Sequence, residues 1–358
     1  MKEKIAIIGL GLIGGSIAKA LKGADNNIVI SAYDKPEILN TALKEKIIND
    51  ALQNFEQALD SDIIFICLPI DTAINIFKNL APNLRSNQIL TDVCSVKTAF
   101  ADIWSQIKSS GIYIGGHPMT GKEKGGYENS DALLFENSIY ILTEDLRNNN
   151  NLENFRIIIE SLGANILHVP PKQHDVIAAS ISHLPQLISV VLVNTASLKT
   201  DNYNFLDLAA GGFRDMTRIA SSDFGIWKSI ISENRGEIIS AIEKFIFEVN
   251  KIKGFVYNLD YNELNDYFET ARKSRDEIPQ KTKGFLTPLH DIFIFVKDEP
   301  GVISKVSGAL FENGINIKDI ELLKIREGEG GTFRIAFESA DDASRAKNIL
   351  QSTGFRTN

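Results

Sequence analysis

Only two cysteines, Cys67 and Cys94, occur in 358 residues, so no disulfide framework staples this chain. Cys67 reads as a buried core residue, and nothing around Cys94 makes it a nucleophile. No stretch gathers Lys and Arg on one face, and the net charge is −8, which argues against a nucleic-acid or anionic-membrane partner. The basic N-terminal residues run straight into a strand, without the apolar core and cleavage site of a signal peptide. No apolar run approaches the ~20 residues that span a bilayer. The five histidines lack metal-ligand spacing and have no Cys pair beside them, so no metal site is expected. These absences leave a cytoplasmic globular protein, long enough for two or three domains.

Strand patterns come first: Lys4–Ile8, Asn27–Tyr33, Asp62–Leu68, Gln88–Val93, Ile112–Ile114, Ser138–Leu142 and Asn165–Val169. Most are β-branched or apolar runs bounded by turn residues, as in parallel strands covered on both faces. Helical stretches such as Gly14–Leu21 and Thr72–Asn79 lie between them. This alternation predicts a doubly wound α/β domain over residues 1–169, ended by Pro170-Pro171.

From residue 170 to 278 strand signals fade and apolar residues recur at helical spacing, as in Ile238, Ile239, Ile242, Phe245, Ile246, Val249 and Ile252. These stripes are wide for a lone appendage and predict a homodimer interface, with packing inside one subunit as the alternative. Arg275–Leu289 is polar, holds two prolines and reads as a linker. Over residues 290–358 a strand (His290–Val296), a helix (Val302–Phe311), strands around Ile315–Ile325 and Thr332–Phe337, a helix (Asp342–Gln351) and a short strand near Gly354–Arg356 give the ferredoxin-like βαββαβ order.

Gly9-Leu10-Gly11-Leu12-Ile13-Gly14 follows a strand and opens a helix, and Asp34 closes the next strand 20 residues after Gly14. That context turns a weak glycine pattern into a dinucleotide fingerprint. Gly9 permits the tight turn, Gly11 lets a pyrophosphate approach the backbone, and Gly14 lets helix and strand pack closely. Free N–H groups of Leu12 and Ile13 at the helix start can hold the pyrophosphate. Asp34 can accept from ribose hydroxyls and would repel a 2′-phosphate, so NAD rather than NADP is expected.

Two further clusters carry chemistry. His117, in Gly115-Gly116-His117-Pro118-Met119-Thr120-Gly121, sits at a strand end, where doubly wound sheets bind ligands. An imidazole with an ordinary pKa of about 6.5 can take a proton near neutrality. Ser95, just past another strand end, could orient that imidazole or touch the cofactor. His183 falls in the helical region. Arg214 and Arg218, four apart in Gly212-Phe213-Arg214-Asp215-Met216-Thr217-Arg218, can share one helix face and grip carboxylates, and Trp227 follows. Each has a duller account as a structural histidine or a surface ion pair.

In combination these segments resemble the prephenate/arogenate dehydrogenase family. The matching runs are the Gly9–Gly14 fingerprint, Ser95-Val96-Lys97, His117–Gly121, Lys172–Asp175, Ser182-His183-Leu184-Pro185 and Gly212–Arg218. The last domain resembles ACT domains through Asp298–Val302 and Gly314–Ile317. The resemblance implies NAD-dependent oxidative decarboxylation of prephenate to 4-hydroxyphenylpyruvate in tyrosine biosynthesis. It implies His117 as the base on the ring hydroxyl, Ser95 holding His117 and cofactor, and Arg218 on the ring carboxylate. His183 and Arg214 would serve the rest of the substrate, and Trp227 the pocket wall, reached from a partner subunit. Gln186 stands where many relatives have a second histidine, which bears on whether prephenate or arogenate is preferred. The ACT domain implies feedback inhibition by tyrosine, with Asp298, Pro300, Gly301, Asn313 and Asn316 as candidate effector contacts. Some relatives carry a chorismate mutase upstream, and none is expected here. The competing readings are another Rossmann enzyme acting on a 3-hydroxy acid through a lysine, and a non-catalytic amino-acid and nucleotide sensor.

Overall fold

The computed structural model describes residues 3–25, 27–122, 124–144, 146, 152–197, 204–277, 289–297, 299–326 and 330–357. It divides into two compact units, Met1–Ala271 and Arg272–Asn358.

The first unit is built on strands β1 (Lys4–Ile8), β2 (Val29–Tyr33), β3 (Asp50–Ala51), β4 (Ile63–Ile66), β5 (Ile89–Asp92), β6 (Ile112–Pro118), β7 (Ile139–Leu142) and β8 (Asn165–His168). Their spatial order is β3-β2-β1-β4-β5-β6-β7-β8. The order turns back between β1 and β4, which opens a crevice at the strands' carboxyl ends. The expected doubly wound sheet is present, with one correction: β7 runs antiparallel to β6, and β8 then pairs parallel to β7. The sheet is therefore mixed at this edge. Period and hydrophobicity are the same for either strand direction, so sequence pattern does not register the reversal.

Helices α1 (Leu12–Ala24), α2 (Pro36–Lys44), α3 (Ile70–Leu80), α4 (Thr98–Gln106) and α5 (Glu153–Glu160) cover the two faces. Ile5, Ile7 and Phe65 pack on one side with Ile17, Leu21 and Phe155. Ala6, Ile8, Ile64 and Ile66 face Phe77, Leu80 and Phe100 on the other. Alternate residues of one strand thus feed two cores, which explains its unbroken apolar run.

The helical part comprises α6 (Pro171–Ala178), α7 (Leu184–Ala196), α8 (Gly211–Thr217), α9 (Phe224–Glu233), α10 (Arg235–Asn258) and α11 (Tyr261–Glu277). Ile230 of α9 and Ile238 and Ala241 of α10 join the core on the Ile64 face. Only the first turns of α10 are buried this way. Ile239, Ile246 and Val249 stay 45% or more exposed. The linker expected from Arg275 also needs correction, because α11 continues through Glu277. Residues 278–288 of that segment lie outside the described residues.

Helices α6 and α7 run on through a π-helical turn, Ala179–His183. Contrary to the sequence expectation, Pro171–Ala196 is long and apolar enough to cross a membrane by length and composition. Yet His174, Asp175, His183, Gln186 and Ser189 of this helix are all buried within the unit. Pro185 explains the wide turn: it has no N–H for a regular helical bond. In an unbroken helix of about 3.6 residues per turn, His174 and His183 would point about 180° apart. The wider turn lets both be buried.

The second unit holds β9 (His290–Val296), α12 (Val302–Glu312), β10 (Asp319–Arg326), β11 (Gly330–Phe337), α13 (Ala340–Ser352) and β12 (Arg356–Thr357). The order β10-β11-β9-β12, antiparallel throughout, is the ferredoxin-like arrangement expected. Ile292, Ile294, Phe333 and Ile335 pack against Val306, Leu310, Ala346 and Leu350.

Candidate active site

The turn after β1 is forced by sterics. Gly9 has φ +99°, and a Cβ there would lie 2.4 Å from the Cys67 carbonyl oxygen. A Cβ on Gly14 would lie 1.9 Å from the Gly9 carbonyl oxygen, so α1 can approach β1 only with glycine there. Gly11, by contrast, has open space where a Cβ would be, beside the uncapped start of α1. That cradle fits a pyrophosphate held by helix N–H groups. Asp34 sits just past β2 and accepts from Leu10 N–H (2.5 Å) and Lys35 N–H (2.6 Å). It ties the glycine loop to the β2 end, and its oxygens keep lone pairs for ribose hydroxyls. Asp34→Ser should raise the KM for NAD+ about tenfold, the scale of a hydrogen bond to a charged group, and ease the exclusion of NADP+. Steady-state kinetics with both cofactors measures this; an unchanged NAD+/NADP+ ratio would remove Asp34 from the adenosine site.

Deeper in the sheet, Asp92 at the end of β5 is fully buried. Lys97, also fully buried, forms a short ion pair with it. Tyr113 donates to Asp92 (2.7 Å) and the Cys94 N–H does so too (2.8 Å). The Lys97 ammonium also donates to the Gly116 carbonyl (2.6 Å), directly before His117. Gly115 and Gly116 make room for this: Cβ atoms there would meet Tyr113, Thr143 and Lys97, or Asp92 and Tyr140, at 2.7–3.1 Å.

His117 is the penultimate residue of β6, half-buried, with its Nδ1 2.8 Å from Nε2 of His174. His174 in turn places Nδ1 2.8 Å from Asp175. Asp175 accepts the backbone N–H groups of Lys97 and Thr98, both at 2.8 Å. Burial raises the Asp175 pKa, but the hydrogen bonds from His174, Thr98 and Lys97 outweigh it and hold the carboxyl below its ordinary value. His117 is pushed well below the usual imidazole range, first by burial and then by His174, Lys97 and His183.

Asn234 links this chain to His183. Its Nδ2 donates to the Asp175 carbonyl (2.9 Å) and lies 3.2 Å from His183 Nδ1. Nδ1 of His183 is therefore an acceptor and Nε2 carries the proton. That buried Nε2 has no partner among the described residues, which makes it a donor held ready for a ligand. Burial lowers the His183 pKa to about 4, so the ring is neutral at physiological pH. Trp227 packs edge-on to His183 of the same chain, ring centres 6.0 Å apart.

Other expectations fare differently. Ser95 makes no side-chain hydrogen bond among the described residues, and His174 holds His117 instead. The arginines do not share one regular helix: α8 ends at Thr217, and Arg218 begins a 3-10 turn, Arg218–Ser221. Arg214 is exposed and donates to the Ala209 carbonyl (3.2 Å). Gln186 is turned away from solvent and donates to the Ile219 carbonyl (2.9 Å), fastening the turn that carries Arg218. Of the effector residues, Asp298 lies outside the described residues. Gly301 caps the start of α12 and Asn313 its end, about 16 Å apart for eleven residues. Asn313 spends its amide on the Ala309 carbonyl, and Asn316 is exposed. Gly301 and Asn313 therefore lie at opposite ends of α12.

His174, Asp175, Lys97 and Asn234 received no role from sequence reasoning. His174, Asp175 and Lys97 lay inside runs already matched to the family, but their partners are 57 and 78 positions away. Only folding reveals that pairing.

A glycine-cradled helix start, an acidic residue at the β2 end and a half-buried histidine at the carboxyl edge of the sheet define an NAD-dependent dehydrogenase. Family profiles agree: the nucleotide-binding domain of prephenate dehydrogenase matches residues 17–168, its dimerization domain residues 170–270, and the ACT domain residues 290–355. The chain belongs to the prephenate dehydrogenase family. The prephenate dehydrogenase of Bacillus subtilis (strain 168) is 34% identical over 357 residues, spanning 98% of this chain and 96% of its own length. That of Lactococcus lactis subsp. cremoris is 34% identical over 354 residues, spanning 98% of each. The crystal structure of prephenate dehydrogenase from Aquifex aeolicus, in complex with hydroxyphenyl propionate and NAD+, matches with TM-score 0.69 and 30% identity, over 78% of this chain and 99% of that one.

Proposed function

We propose that this chain oxidatively decarboxylates prephenate to 4-hydroxyphenylpyruvate and CO2, with bound NAD+ supplying the hydride acceptor. The observation that carries the reading is the buried His117 chain at the sheet edge, next to a neutral His183 with an unpartnered donor. In this reading His117 accepts the proton of the ring 4-hydroxyl through Nε2, the nitrogen not engaged with His174. Ser95 borders the cofactor side. Arg218 grips the ring carboxylate, the group lost as the ring aromatises. His183 donates Nε2–H to the side-chain end of the substrate, with Arg214 nearby in sequence and Trp227 forming the wall. Gln186 acts by fastening the Arg218 turn.

The domain division is 1–169 for cofactor, 170–278 for substrate and dimerisation, and 290–358 for regulation. A homodimer is supported by the apolar side chains the helical part leaves at the surface, among them Leu208 (75% exposed), Phe224 (68%) and Ile226 (66%), and the proposed compartment is the cytoplasm. Tyrosine is the proposed effector. Along α12 the ACT domain has an open groove of about 970 Å³ lined in part by Glu299, Val302, Lys305, Glu312, Phe355 and Arg356, with charges of both signs for a zwitterion.

The test is NADH formation by purified enzyme with prephenate or arogenate, each with and without tyrosine. Prephenate turnover suppressed by tyrosine is the expected result. Turnover of arogenate alone would move the enzyme to that substrate. Turnover of neither would leave the sensor reading.

A further inference from the structure

Proton bookkeeping in the His117 chain has one consistent solution at neutral charge. The ionised Asp175 can only accept, so His174 Nδ1 carries a proton and donates to it. Neutral His174 then presents a bare Nε2, and His117 Nδ1 must supply the proton between the two rings. That leaves a lone pair on His117 Nε2, the tautomer a general base needs.

The same chain answers a second difficulty. A proton taken up at His117 creates an imidazolium among unfavourable neighbours: the buried Lys97 ammonium, His174 and His183. Asp92, the nearest compensating carboxylate on β5, is already paired with Lys97. Asp175 is the remaining anion, and it touches His174 rather than His117.

We infer that Asp175 and His174 form a proton relay behind His117, setting its tautomer and taking over the positive charge when it accepts the substrate proton. Resting on the prephenate reading, the step balances as follows. The substrate O–H bond breaks and an N–H bond forms at His117 Nε2. The His117 Nδ1–H bond then breaks as His174 Nε2 gains that proton. His117 ends neutral and His174 ends as an imidazolium hydrogen-bonded to the Asp175 carboxylate. His174 and Asp175 are positioning residues here, since neither touches substrate.

The relay also joins two parts of the fold. Asp175 accepts from the loop after β5 while His174 reaches β6, so helix α6 must be docked before His117 can act. A misplaced α6 would release the tautomer lock without disturbing the glycine cradle.

Two kinetic variants and one spectrum test this. Asp175→Asn removes the anion that holds the His174 imidazolium while keeping an oxygen for the Lys97 N–H; kcat should fall by about 10²–10⁴-fold, with KM for both substrates changed little. His174→Gln keeps an acceptor for His117 Nδ1–H but cannot take the proton. Its kcat should fall about tenfold or more, with the acid limb of the pH profile moved to lower pH. A merely structural His174 would instead let water reach His117 and move that limb up toward about 6.5. An unmoved or raised limb with kcat within about twofold of the parent overturns the relay. Because Asp175→Asn could fail to fold, the decisive measurement uses the unaltered full-length protein. Nitrogen-15 NMR of its histidines at neutral pH should show His117 and His174 both protonated at Nδ1 and bare at Nε2. Either ring found with Nε2–H overturns the proposal, and since no substrate is present, that failure is distinct from failure of the prephenate reading.

Discussion

Replacing His117 with alanine should lower kcat by about 10²–10⁴-fold, the usual contribution of a positioned general base. KM for the dicarboxylate substrate should change little, because the proposed function gives its binding to Arg218 and His183 rather than to the imidazole. The residual activity should lose its acid-side pH dependence, since the group whose protonation shuts down turnover is gone. Near neutral pH the imidazole is mostly neutral whether folded or not, so its removal should gain no stability there. The variant should gain on the parent only as pH falls below about 6.5, where burial, His174, Lys97 and His183 oppose protonation of His117. Initial rates across pH together with a melting curve decide the matter. A variant that kept more than about a tenth of the parental kcat would hand the base role to another group.

The second large effect is one of stability. Lys97→Met should destabilise the first unit by about 3–5 kcal/mol, because it strips a fully buried carboxylate, Asp92, of its counter-charge. Tyr113 and the Cys94 N–H would still donate to Asp92, but two neutral donors do not replace an ammonium in a dry interior. For a domain of this size that loss lowers the melting temperature by about 10 °C or more. The Gly116 carbonyl loses a donor too, so the strand end carrying His117 should loosen and activity should fall with stability. The double variant Asp92→Asn/Lys97→Met removes both charges and should recover most of the stability, as buried pairs replaced together often do. Calorimetry of parent, single and double variants checks this. A single variant as stable as the parent would show that Asp92 has another counter-charge.

Exposed salt bridges such as Lys122–Asp131 (41% and 44% exposed) carry no comparable weight. In water they are worth about 0–1 kcal/mol. The buried pair differs because neither charge can return to solvent when its partner goes.

How much was legible beforehand follows the range of the interactions. The glycine fingerprint and Asp34 could be read because each requirement is local: a positive φ at Gly9, a helix start at Gly11 and an acidic strand end. The ferredoxin-like order could be read because period-2 and period-3.6 patterns alternate cleanly between residues 290 and 358. His117 was legible as a histidine at a strand end. Its true partner was not, since His174 comes from a helix 57 positions on and reaches β6 only after that helix docks. Ser95, three positions past a strand end, looked equally placed to orient the imidazole. Spacing alone could not choose between them.

Sequence by itself thus determined the class of each domain and the cofactor cradle, and placed a histidine at the end of a strand, because backbone sterics and hydrophobic period act within a few residues. Tertiary structure alone decided the antiparallel β7, the buried Asp92–Lys97 pair and the Asp175–His174–His117 chain. It also turned Gln186 onto the Arg218 turn and left His183 with a donor that has no partner among the described residues. The physical reason is common to all of them. A buried polar group must find its partner wherever folding brings one within hydrogen-bond reach, and separation along the chain does not encode that distance.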